Sequence, residues 1–222
     1  LSFFDWAPTR RLVFIGLENY TEIFFYDPVF WTSLRNTLFY MGSMPIAIAA
    51  ALGVALLLNR NIRAQGIYRT ILFMSYPLAP VAVGVVWRWL YDGKVGLINY
   101  GLLSLGLVEQ PINFLESAAL ALPAVIVAGM WQLLGFFMVI LLTGLQSIPR
   151  HLYEAAAIDG ASDARVFFRI TLPMLRPSIF ICFVIGIVSS FTSFDLVYVM
   201  TGGGPGRSTE LLLTYVYKTA FR

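Results

Sequence analysis

From Ser117 to Pro149 the chain carries no charged residue, and a run of that length has few stable destinations in water. A helix crosses the bilayer core with about 20 apolar residues, so this run spans it with tilt or extends beyond the lipid. Three further runs behave alike. Thr37 to Leu58 lies between Arg35 and Arg60, and Pro177 to Met200 is interrupted only by Asp195. Thr70 to Trp87 continues to Tyr91, because Trp87, Trp89 and Tyr91 resemble an aromatic belt at a membrane interface. Composition agrees, at 59% apolar and 12% charged, against about 45–50% and about 25% in soluble domains. The reading is an all-α polytopic membrane protein of one domain, with spans at 37–58, 70–91, 117–145 and 177–200.

Charge orients it, since Lys and Arg gather on the cytoplasmic side. Arg60, Arg63 and Arg69 stand without an acid, and the segment 146–176 holds Arg150, Arg165, Arg169 and Arg176. Both are expected inside, leaving 1–36 as an outer segment and 201–222 as a second outer stretch. Leu1 to Trp6 reads as the end of an earlier helix meeting the surface, and Leu211 to Arg222 as the opening of a further apolar segment. About six spans are therefore expected in the full protein, four of them here. No internal repeat or low-complexity segment is found.

Several chemistries are excluded. Cys182 is the one cysteine and His151 the one histidine, so no disulfide or Cys/His metal set is available. The only lysines, Lys94 and Lys218, lack the spacing of a phosphate-cradling loop, and no nucleophile elbow occurs. Asp195 is the sole acid in the expected spans, which removes a paired-carboxylate proton relay. A net charge of +3, scattered along the chain, does not make a nucleic-acid surface. No catalytic residue and no metal site is assigned.

The segment between the third and fourth runs is more specific. Pro149 opens a short helix in which Tyr153, Ala156, Ala157 and Gly160 fall at i, i+3, i+4 and i+7. Such a face of small groups suits close approach by a partner helix or groove; a loop that merely caps the bundle is the alternative. Gly160 is expected to end the helix, Ser162 or Asp163 to cap a second one, and Pro173 to stop that.

Glu154-Ala155-Ala156-Ala157-Ile158-Asp159-Gly160 followed by Ile170-Thr171-Leu172-Pro173 resembles the EAA loop of inner-membrane permease subunits of binding-protein-dependent ABC importers. Gly16-Leu17-Glu18-Asn19-Tyr20, Asn36-Thr37-Leu38, Pro77 with Pro80, and Thr201-Gly202-Gly203-Gly204-Pro205 are each similar to segments of the sugar branch, so the likeness covers nearly the whole chain. The Gly-Gly-Gly-Pro loop and Tyr217 to Phe221 resemble the MalF-like or UgpA-like half. The resemblance implies a type I importer permease bundle in the cell inner membrane, non-catalytic itself, working with a MalG-like second permease, two ATPase subunits and an extracytoplasmic solute-binding protein. ATP and Mg2+ would sit on the ATPase and no cofactor on this chain. Tyr153, Glu154, Ala155, Ala156, Ala157, Asp159 and Gly160 would form the coupling element inserted into an ATPase cleft.

The solute would be small and polar, a carbohydrate first, with glycerol phosphate or a similar solute as the alternative; a membrane-embedded enzyme lacks every motif it would need. Phe191, Phe194, Asp195 and Tyr198 stand at i, i+3, i+4 and i+7. Aromatic rings with a carboxylate suit a sugar's apolar face and hydroxyls, so these four are the expected substrate path. The other reading pairs Asp195 with a neighbouring helix near the outer interface. Gly202, Gly203, Gly204 and Pro205 are expected to form a flexible outer loop at a gate or a binding-protein contact. Trp87, Trp89 and Trp131 are expected as interface anchors or packing residues rather than ligand contacts.

Overall fold

The computed structural model describes residues 2–5, 13–60 and 63–221. Leu1 and Trp6 lie outside them, and the stretch between, expected as the end of a helix, is not helical where it is described, because Phe4 and Asp5 are extended and paired with another strand. Strands β1 (Phe4–Asp5) and β2 (Val13–Phe14) pair antiparallel, with Phe4 opposite Phe14. Among the described residues, everything else that is regular is helical. After α1 (Glu18–Thr21) and a π turn at Glu22–Tyr26, Asp27 accepts hydrogen bonds from the backbone N–H of Val29 (2.7 Å) and Phe30 (3.4 Å) and so caps α2 (Pro28–Gly42). Pro28 in the first turn costs no hydrogen bond there. With α3 (Met44–Leu58), α2 makes one 31-residue apolar helix, Pro28–Leu58. The helix thus starts at Pro28, ahead of the expected Thr37. Arg35 does not end it, because a cation near a span's end reaches back toward the headgroups.

The run at 70–91 is two helices, α4 (Gln65–Phe73) and α5 (Pro80–Leu90). Pro77 and Pro80 are the reason: each removes a donor and pushes its predecessor toward extended backbone, and Ala79 sits at φ −57°, ψ 130°. A short α6 (Leu97–Ser104) follows. The charge-free run then becomes α7 (Ala121–Gln146), 26 residues long. Beyond it come α8 (Arg150–Ile158), then α9 (Asp163–Val166), a π turn at Phe167–Thr171 and α10 (Leu172–Met174), which together run from Asp163 to Met174. Pro173 therefore does not stop this helix, contrary to expectation. The π turn widens it just where the proline ring faces the preceding carbonyls, and the stop falls at Leu175, where the axis bends by 62° into α11 (Arg176–Thr192).

The run at 177–200 is also divided. α11 ends at Thr192, Ser193 beyond it has left helical geometry (φ −73°, ψ 82°), and α12 (Asp195–Thr201) begins two residues after Ser193, followed by α13 (Leu212–Ala220). Two described helices, Pro28–Leu58 and Ala121–Gln146, are long and apolar enough to cross a membrane, and a third if the bent pair counts as one span.

α3 and α7 pack along their lengths. Ala47, Ala51 and Ala55, a turn apart, let Phe137, Met138, Leu141 and Leu142 approach closely. Toward the Ala121 end of α7 a second core joins Tyr40, Met44, Val83, Val125, Leu196 and Leu211. The first core is closed by Ile148 and Leu175 near α8 and the second by Leu211 after the glycine loop, so α8 and that loop stand at opposite ends of α7.

Candidate coupling helix and membrane cavity

Pro149, extended at φ −61° and ψ 131°, turns the chain out of α7 into α8. The helix ends on Gly160 at φ +67°, where the N–H of Gly160 donates to the Ala157 carbonyl (3.1 Å) and that of Ala161 to the Ala156 carbonyl (3.0 Å). This is the double-bonded glycine stop, and it needs the left-handed conformation that a side chain disfavours. Ser162 holds the next N-cap position with extended backbone but without a side-chain bond.

The expected face of Tyr153, Ala156, Ala157 and Gly160 is split by the fold. Tyr153 shares a 3.2 Å hydroxyl hydrogen bond with Thr171 and packs on the first core, and Ala156 is only 8% exposed. These two seat α8 on its own bundle. The outward face is His151, Glu154, Ala155 and Ile158, again at i, i+3, i+4 and i+7, with Ile158 88% exposed and Ala157, Asp159 and Gly160 exposed beside it. The periodicity was readable in the sequence; which face pointed inward was set by Thr171, 18 residues on.

Between the two cores opens a cavity of about 390 Å³, lined by Tyr40, Tyr76, Gln132, Ser189, Ser193 and Asp195 among others. Phe194 lines it as well, whereas Phe191 and Tyr198 do not. The four expected path residues do not share one helical face, because the helix breaks between Thr192 and Asp195. Hydroxyl residues weaken the helix there: Ser190 and Thr192 turn back to the carbonyls of Gly186 (2.7 Å) and Val188 (2.9 Å). Tyr198 instead stacks on Phe194 at 5.1 Å, and Tyr217 of α13 packs on both rings.

Asp195 is exposed and lies on the cavity wall. Gln132 donates to the Leu78 carbonyl (2.8 Å), which leaves its own carbonyl free to accept. Tyr76 lies parallel to Phe136, 4.2 Å away. Tyr40, Tyr76, Gln132 and Ser189 were not singled out from the sequence, although Gln132 is the one carboxamide between 117 and 145. Trp87 and Trp131 meet edge to face at 5.8 Å, so those two pack on each other.

The glycine loop is built rather than loose. Gly202 ends α12 at φ +61°. Thr209 is fully buried, shares a 2.6 Å hydrogen bond with the Thr201 hydroxyl and donates to the Gly204 carbonyl (2.8 Å). Lys218 donates to the Gly202 carbonyl and to Glu210, both at 2.7 Å. A second cavity of about 540 Å³ is bordered by Gly202, Gly203, Gly204, Arg207, Glu210 and Lys218. Asn36 donates to the carbonyls of Arg207 (3.2 Å) and Glu210 (3.1 Å), and the Leu212 N–H donates to Thr37 (3.0 Å), which ties this loop to α2.

The comparisons with known proteins agree with this arrangement. The model of the binding-protein-dependent transport system inner membrane component matches residues 10–219. The sulfoquinovosyl glycerol transport system permease protein SmoG of Agrobacterium fabrum is 39% identical over 220 residues, covering 98% of this chain and 70% of SmoG. The trehalose/maltose transport system permease protein MalF of Thermococcus litoralis is 34% identical over 196 residues, 88% of this chain and 66% of that protein. A crystal structure of a bacterial ABC transporter involved in the import of the acidic polysaccharide alginate superposes with a TM-score of 0.80 at 24% identity, over 94% of this chain and 73% of that one. The last is a likeness of fold, and the first three are likenesses of sequence across nearly the whole chain. The chain belongs to the family of binding-protein-dependent transport system inner membrane components.

Proposed function

We propose that this permease subunit translocates a carbohydrate or a similarly hydroxylated solute, and that α8 is where an ATPase subunit drives it. The observation that carries the reading is the placement of α8. It is seated by Tyr153 and Ala156 and presents Glu154, Ala155 and a bare Ile158 at the end of α7 away from the glycine loop. An exposed isoleucine on a short helix gains by entering an apolar groove on another protein. ATP and Mg2+ are assigned to that partner, and segment 146–176 to the cytoplasm, in keeping with Arg150, Arg165, Arg169 and Arg176. The chain crosses the inner membrane several times in this reading.

Solute then passes the 390 Å³ cavity, a volume within the range of small-molecule sites. Its wall offers what sugar hydroxyls need: a carboxylate at Asp195, hydroxyls at Ser189 and Ser193, and the phenols of Tyr40 and Tyr76. Phe194 supplies an aromatic face. Trehalose/maltose and sn-glycerol-3-phosphate are the solutes named for two relatives. Among the described residues, the only ionisable carboxylate or cation on the wall is Asp195, so this wall offers a phosphate no cation, and a neutral sugar is favoured. The glycine loop, at the other end, faces the solute-binding protein.

The test is ATP-dependent uptake in proteoliposomes holding the whole transporter. Ile158→Asp is expected to abolish ATP-driven uptake by preventing ATPase docking, while Asp195→Asn raises the KM for solute and leaves the ATPase subunits bound. Full uptake in Ile158→Asp overturns the coupling assignment, and an unchanged KM in Asp195→Asn removes Asp195 from the path.

A further inference from the structure

The segment ahead of α2 carries large apolar side chains in the open. Phe25 is 79% and Tyr26 80% exposed, and Phe14, Leu17, Phe24 and Trp31 are exposed with them. A water-facing surface rarely gathers such residues without a partner. Their arrangement identifies the partner as lipid. Trp31 opens an exposed stripe that continues along one face of the Pro28–Leu58 helix through Leu38, Phe39, Ile46 and Leu57, which recur every two or three turns. An apolar stripe along a helix long enough to cross a membrane is what lipid covers, and the Phe24 ring lies 6.3 Å from the Trp31 ring at its head.

Polar groups in the patch agree. The Trp31 indole N–H is already donated to the Phe24 carbonyl (2.9 Å), so the ring enters an apolar layer with no donor left unpaired. Asp27, next to Tyr26, is taken up by capping α2 and accepting from the Tyr215 hydroxyl (2.6 Å). Arg35 is exposed on the stripe, one turn below Trp31. Helical side chains lean toward the N-terminus, so its guanidinium reaches back to the level of Trp31, where lipid phosphates lie. Aromatic rings above an arginine mark the boundary between headgroup and acyl chain.

We infer that residues 13–31 form an interfacial anchor, lying in the headgroup layer of the leaflet at the glycine-loop end. Phe24, Phe25, Tyr26 and Trp31 are sunk to the acyl boundary, and Arg35 sits on a lipid phosphate. Glu18 and Glu22, both exposed, face water. The anchor fixes the height of α2 in the bilayer, and through Asn36 and Thr37 the height of the glycine loop.

The experiment uses the assembled transporter in nanodiscs of phosphatidylethanolamine and phosphatidylglycerol. Nitroxide labels are placed at Phe25→Cys, Tyr26→Cys, Glu18→Cys and Glu22→Cys in a Cys182→Ser background. Collisions with oxygen are expected to exceed those with a water-soluble nickel chelate at 25 and 26, with the order reversed at 18 and 22. Dominance of the chelate at 25 and 26 would place the segment in water. Immobile labels that neither reagent reaches would place a protein over it, and either result overturns the anchor. If labelled variants do not assemble, the unmodified transporter is photolabelled with a phospholipid bearing a diazirine near the head of its acyl chain. Adducts are then expected within 13–26 of the tryptic peptide from Leu12 to Arg35. Adducts confined to 28–35 overturn the proposal.

Discussion

Glu210 is 3% exposed, and among the described residues its charge is met by one cation, Lys218, at 2.7 Å, while its other carboxylate oxygen, Oε1, is buried without a hydrogen-bond partner. A buried charge left alone costs far more than a satisfied pair contributes. Lys218→Met is therefore expected to destabilise the subunit by about 3 kcal/mol, the low end for a broken buried pair, since Lys218 is itself a quarter exposed. Lys218→Met with Glu210→Gln should recover most of that loss, as read by denaturant titration in detergent. The same pair explains Gly203. A Cβ there would stand 2.7 Å from both Glu210 Oε2 and Lys218 Nζ, so the glycine makes room for the ion pair rather than loosening a gate.

Asp27 supplies a pH signature. The Tyr215 hydroxyl first, then the Val29 and Phe30 N–H groups, hold its carboxyl below the usual aspartate range. A depressed carboxylate contributes stability above the ordinary pKa of about 3.9, and that contribution fades as pH falls through this value toward the lowered one. The melting temperature of the native chain should exceed that of Asp27→Asn at neutral pH, and the gap should close on acidification. A gap that stays constant would show that the capping charge adds nothing.

Among the elements, α8 shows what sequence periodicity can and cannot decide. The short helix, its proline start and its glycine stop were legible, because Pro149 and Gly160 act through local backbone. Its inward face was not, because Tyr153 answers to Thr171 across a turn. The runs at 70–91 and 177–200 show the same limit: hydropathy reports that a stretch avoids water, not that it is one helix. Pro77 and Pro80 were visible breakers, while Ser193 gave only a cluster of hydroxyls as a hint.

Gly160 tests the element itself. Its φ of +67° disfavours any Cβ, yet nothing stands within 4 Å of where that atom would be. Gly160→Val thus meets only the left-handed backbone penalty, about 1–2 kcal/mol. The subunit should fold and assemble, with the α8 stop redirected, so that ATP is hydrolysed with less solute moved per turnover. An unchanged ratio of solute to ATP in proteoliposomes would remove the stop from the coupling.

For the whole molecule, packing inside a membrane cannot draw on the hydrophobic effect between helices, since lipid is as apolar as a side chain; close contact between small residues takes its place. Gly135 is where this matters most. It sits on α7 beneath α4, where an added Cβ would run into the Leu72 carbonyl and, at 2.8 Å, the Phe73 Cα. Backbone cannot yield there as a flexible side chain could. The contact also holds α4 and the Tyr76 turn against α7, and Tyr76 is part of the cavity wall. Gly53 on α3 is the matched control, a helical glycine in the same membrane with nothing within 4 Å of its Cβ position and an exposed surface. Gly135→Leu is accordingly expected to separate α4 from α7 and lose folded transporter from the membrane, at a cost above the about 1–3 kcal/mol of ordinary overpacking. Gly53→Leu should accumulate and transport like the native chain. Size-exclusion profiles of the two variants, extracted in the same detergent, measure the difference. Equal recovery would mean that α4 is held by the loops at its ends rather than by its seat on α7.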